Sequence, residues 1–74
     1  MESAIERIVE TYVRLNNRRA LEEMRMHRQR LAMDLKLRSG YDFSLPIQAI
    51  NEEIAAIDAG LEKLSQSSEQ RDKP

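Results

Sequence analysis

The chain of 74 residues contains no cysteine, which excludes disulfide staples and thiolate metal sites. It has no tryptophan, and its one phenylalanine and two tyrosines leave aliphatic and methionine side chains to build any core. A single histidine, His27, is too few for a closed zinc site. Two glycines and two prolines are all that interrupt the chain, a scarcity that favours helix. No apolar run approaches the roughly 18 to 20 residues needed to cross a bilayer, so no membrane span is expected. The opening Met-Glu-Ser-Ala-Ile-Glu lacks the basic start and apolar stretch of an export signal, so a soluble, cytoplasmic protein is expected. A glycine-rich phosphate loop, a nucleophile elbow and a clustered acid–base pair are all missing. The expectation is a non-enzymatic chain with no catalytic residues, no cofactor and no metal.

What the chain does have is helical patterning. Ser3 with Glu6 spells a capping box, in which the serine hydroxyl takes the Glu6 amide and the carboxylate reaches back to the Ser3 amide. Apolar residues then recur at Ile5, Ile8, Val9, Tyr12, Val13 and Leu15, and again at Ala20, Met24, Leu31 and Leu35, the spacing of a buried stripe. The stripe drifts around the helix at Asn16-Asn17, where a kink and a polar layer both fit; the expectation is one continuous helix over about 3–38. Arg38 complements a helix C-terminus, and Gly40 suits the left-handed conformation that ends one. Pro46 fits the first helical position, with Leu45 as N-cap.

A second helix over about 46–65 carries Ile47, Ile50, Ile54, Ile57, Leu61 and Leu64 in three-four alternation, a narrow seam. Ala49, Ala55, Ala56 and Ala59 keep the surface beside it smooth enough for close approach by another helix. The polar stretch 66–74 is expected to be a disordered tail behind a single domain over 1–65.

Residues 14–38 hold eight basic side chains against three acidic, and residues 42–74 three basic against seven acidic. A basic helix folding back on an acidic one is favourable, and a connector of about six residues makes the two antiparallel. The expected fold is thus all-α, an antiparallel two-helix hairpin. At 1.5 Å per residue the helices measure roughly 54 and 30 Å, so the second cannot cover the first. Ile5, Ile8, Val9, Tyr12, Val13 and Leu15 are left without an intramolecular partner, and such a stripe marks an interface. The expectation is a homodimer, two hairpins forming a four-helix bundle, with those residues and the seam from Ile47 to Leu64 carrying association; another helical protein is the alternative partner.

Arg7, Arg14, Arg18, Arg25 and Lys36 align on one face of a continuous helix, thickened by Arg19, Arg28, Arg30 and Arg38. The competing function is therefore nucleic-acid binding through phosphates, although no recognised reading head is present. His27 falls on the apolar stripe and reads as a packed, hydrogen-bonded histidine. Met24, Met26 and Met33 read first as core filler and second as a pliable docking surface. Tyr41 and Phe43 are expected to pack across the connector. Ala32-Met-Asp-Leu35, ahead of the turn, resembles a tetrapeptide of a helical-hairpin family found alongside nitrogen-fixation proteins. The chain lacks that family's tryptophan, and its Leu45-Pro46 comes later, so the resemblance assigns no site.

Overall fold

The computed structural model describes residues 3–38, 40 and 42–72, with side chains through residue 66. Within them the chain is all-helical, with α1 at Ala4–Arg14, α2 at Arg18–Leu37 and α3 at Ser44–Asp72. The expected two-helix hairpin, and the four-helix bundle built from it, therefore give way to three helices in one chain.

The cause lies in Asn16 and Asn17, which do two separate jobs. Asn16 adopts φ 55°, the left-handed conformation that asparagine tolerates better than most residues. The Asn17 amide donates to Tyr12 O at 2.9 Å and the Asn16 amide to Val13 O at 3.0 Å. These paired bonds form a Schellman motif, which closes α1 in the way a glycine would. Asn17 then serves as N-cap of α2, its Oδ1 accepting the Ala20 amide at 3.1 Å. Two residues that read as weak helix formers are a stop and a start. Replacing Asn16 by Gly is expected to leave stability unchanged or slightly raised, whereas Asn16→Val costs about 1–2 kcal/mol for a branched residue at positive φ. Asn17→Ala costs about 1 kcal/mol through loss of the cap. Urea titration of the three variants by circular dichroism checks the order; a Gly variant as damaged as the Val variant would refute it.

Beyond this turn α1 and α2 run in opposite directions. Arg18 meets Ser65, Arg25 meets Asp58 and Arg28 meets Glu53, so α2 is antiparallel to α3. Ala4 and Ile5 lie beside Ala49 and Glu53, while Val13 lies beside Gly60 and Lys63, so α1 runs parallel to α3. The result is a three-helix packing in which α1 lies along α3 between Ala49 and Lys63 and meets the N-terminal part of α2 at Leu21.

Val9, Leu21, Ile57 and Leu64 form the buried cluster, with Ile5, Tyr12, Val13, Met24 and Leu61 packed against it. Leu21 and Ile57 are fully buried. Nearer the connector, Ala32 and Ile50 are buried as well. Gly60 sits inside α3, where glycine costs about 1 kcal/mol relative to alanine, and its surroundings give the reason. A Cβ there would lie 2.5 Å from Val9 Cγ1 and 3.2 Å from Val13 Cγ2. Glycine lets α1 sit directly on the α3 backbone.

At its other end α2 finishes with Arg38 as C-cap, and Gly40 has the expected positive φ of 90°. Ser39 and Tyr41 lie outside the described residues, so the expected packing of Tyr41 does too; Phe43 is half-buried. The first turn of α3 begins earlier than expected. Phe43 O accepts the Ile47 amide at 2.9 Å, and Asp42 Oδ1 accepts the Ser44 amide at 3.0 Å. That bond, with another to the Ser44 hydroxyl, holds the Asp42 carboxyl below the usual 3.8. Leu45 is thus an exposed helical residue and not the N-cap, and Pro46 is the third helical residue. Its missing N–H is equally harmless there, because the first four amides of a helix have no intrahelical partner.

The Ser3 cap also differs in detail. Its Oγ accepts the Glu6 amide at 3.3 Å as expected, but the Glu6 carboxylate takes the Ser3 hydroxyl at 3.3 Å. α3 continues as helix to Asp72, past the expected end near 65. Residues 61–72 contain no glycine, proline or β-branched residue, so each further residue extends an existing helix at little cost.

Candidate interaction surfaces

Most of the residues read as an association stripe are spent inside the molecule. Val9 is buried and Ile5, Tyr12 and Val13 are half-buried against α2 and α3. From the seam of α3, Ile50, Ile57 and Leu64 are buried and Ile47, Ile54 and Leu61 half-buried. Ile8 and Leu15 alone among the twelve remain exposed, at 44% and 66%. The premise of an uncovered stripe over residues 5–15 is therefore corrected: the chain turns back at Asn16 and covers that stripe with its own α3.

The arginine row is likewise divided by the turn. Arg7 and Arg14 lie on α1, which runs opposite to α2, so they do not continue the line of Arg18, Arg25 and Lys36. Arg25 pairs with Asp58, and Arg28 pairs with Glu53 at 3.1 Å. Arg18 Nη2 donates to Ser65 Oγ at 3.2 Å. These three contacts tie the basic helix to the acidic one, as the charge distribution along the chain suggested. Because the ion-paired side chains stay partly exposed, each pair contributes about 1 kcal/mol or less. Arg14–Glu10, Arg19–Glu23 and Arg38–Asp34 are pairs one turn apart within single helices. Arg30 and Lys36 have no ion pair among the described residues.

His27 is exposed and not packed as expected. A stripe in phase with α1 includes His27, but the turn at Asn16 rotates the inward face of α2 toward Leu21 and Ala32. Met24 fills the core, as methionine often does. The other two methionines do not. Met26, Met33 and Leu37 are 48%, 64% and 80% exposed. At 100° per residue they fall within about 40° of one another, on the side of α2 turned away from Leu21 and Ala32. α2 therefore has two apolar faces, and α1 and α3 cover one.

A furrow opens between α1 and α3. It encloses about 520 Å³ and is lined by Glu6, Val9, Glu10, Val13, Glu52, Ala55, Ala56, Ala59, Gly60 and Lys63. A further 340 Å³ continues toward Ser3, Ala4 and Ala49, sharing Glu6, Glu52 and Ala56 with it. Its α3 side is alanine around the buried Gly60, its α1 side carries Val9 and Val13, and glutamates accompany one lysine in the lining. Among the described residues no three histidine, aspartate or glutamate side chains converge to hold a metal, and no helix is long and apolar enough to cross a membrane.

Gly60 and Leu21 escaped the reading of the sequence. Gly60 carried a signal, since a glycine within a helical pattern is worth its cost only when something packs against it. Leu21 carried none as long as the helix was taken as continuous, because it then falls off the stripe. The likeness at Ala32-Met-Asp-Leu35 gains no support from comparison: no family model, no curated protein and no solved structure matches this chain.

Proposed function

We propose that this protein is a small helical interaction module, an adaptor or regulator that presents the outer face of α2 to another helix. One observation carries the reading: Met26, Met33 and Leu37 form an exposed apolar row on a helix whose opposite face already fills the core. Single exposed apolar residues are ordinary, but a row at helical spacing is the usual form of a helix-in-groove contact. Methionine suits such a surface because its unbranched side chain adapts to irregular partners. The basic flank, with Arg30 and Lys36 unpaired, favours a partner with an acidic rim.

The test is a photo-crosslinking amino acid placed at Met33 or Leu37 of the full chain in its native cell. Discrete covalent adducts are expected there and not with the same group at Gln48, which is exposed on α3. Illumination that yields only the unmodified chain at both α2 positions would refute the reading.

A further inference from the structure

The partner's identity follows from the other unfilled surface of the same molecule, given that the outer face of α2 is an interaction surface. We propose that the furrow between α1 and α3 receives the outer face of α2 from a second copy, so that the chains associate head to tail.

The furrow has the shape to admit a helix. Ala55, Ala56 and Ala59 leave no side chain beyond Cβ on the α3 side of the furrow, so an incoming backbone can approach closely beside the Val9–Gly60 contact. It extends along α3 from Ala49 to Lys63, about 21 Å at 1.5 Å per residue. The face of α2 from Met26 to Leu37 is about 17 Å long on the same measure. Residues 26, 30, 33 and 37 are spaced four, three and four apart, the register by which one helix seats against others.

Charge selects between the two ways in which copies can meet. Residues 25–38 hold five cations against one acid, Asp34. Arg25 and Arg28 are engaged by α3 and Arg38 by Asp34, which leaves Arg30 and Lys36. Face-to-face pairing of two α2 helices brings these cations together. Seating α2 in the furrow brings them to Glu6 and Glu52. In the product, α1, α3 and the incoming α2 enclose the furrow, and the fourth helix comes from a neighbour. Because the two surfaces differ, the contact is heterologous, and each copy keeps one of each surface for further neighbours.

Sedimentation velocity of the full chain at low salt, over a range of concentration, tests this with three variants. The wild-type chain is expected to show concentration-dependent association. Arg30→Glu and Glu52→Lys change exposed residues, retain the helical circular dichroism, and each weakens association by roughly tenfold or more. The doubly exchanged chain carrying both changes associates again. Each single variant alone stays weakened, whereas an equimolar mixture of the two associates beyond two chains, since Arg30 of one chain meets Glu52 of the other and the introduced glutamate at position 30 meets the introduced lysine at position 52. A wild-type chain that stays monomeric at millimolar concentration overturns the proposal, as does an associating wild type whose mixed variants remain monomers. Neither result touches the crosslinking experiment, in which adducts to a different protein would leave the module reading standing with another occupant.

Discussion

Gly60→Ala lowers the stability of the protein by about 1–2 kcal/mol, although alanine is the better helix former by about 1 kcal/mol. The new methyl would lie 2.5 Å from Val9 Cγ1, so α1 must move off α3 or Val9 must leave its position in the buried cluster. Either response loosens contacts along a helix only 11 residues long. The explanation is checked by a double-mutant cycle. Val9→Ala removes the colliding methyl and costs about 1–2 kcal/mol on its own. In that background Gly60→Ala is expected to cost nothing or to stabilise, leaving a coupling of at least about 1 kcal/mol. Urea denaturation followed at 222 nm supplies all four free energies. Additive penalties would show that the glycine serves some purpose other than admitting α1.

Leu21→Ala is expected to have the largest effect of any single truncation, about 3 kcal/mol, matched by Ile57→Ala. Both side chains are fully buried, and Leu21 stands where the three helices meet, within the cluster that holds Val9, Ile57 and Leu64. For a domain of this size such a loss is a large fraction of total stability. The contrast lies on the same helix. Leu37→Ala, at 80% exposure, is expected to change stability by less than about 0.5 kcal/mol. If Leu37 rather than Leu21 proved critical in the isolated chain, the inward and outward faces of α2 would have to be exchanged.

That contrast also shows what was legible before the structure. The α2–α3 pairing could be read in advance: the isoleucine-leucine seam, the positive φ at Gly40 and the opposite charges of the two segments each found their place. The ending of α1 could not, because Asn16-Asn17 is ambiguous by composition. The same two side chains are tolerable within a helix and able to cap its end, and tertiary packing of Val9 and Val13 on Gly60 decides between the two. Once that choice is missed, later errors are fixed by geometry. A helix carried straight through residue 16 keeps its phase, so Leu21 is lost from the inward face and His27 is wrongly admitted to it. The apparent excess length of the first helix, which had argued for a partner over residues 5–15, has the same origin. The outer row of Met26, Met33 and Leu37 was hidden for a different reason. Methionine spacing alone does not tell core from surface, and only the position of Leu21 does.

The reversal at residues 15–17 also sets the order in which the molecule comes apart. α1 is held by side-chain packing and by a turn of three residues, whereas α2 and α3 share that packing and add the contacts of Arg18, Arg25 and Arg28. Detaching α1 leaves the other two helices paired, so its amides exchange with solvent through a partial opening of lower free energy than global unfolding. In native-state hydrogen exchange, residues 9–13 would then fall in a separate, earlier class than the amides around Leu21 and Ile57. During such an opening the alanine-glycine face of α3 is briefly bare, and the N-terminal helix behaves as a cover that lifts and settles without disturbing the pair beneath.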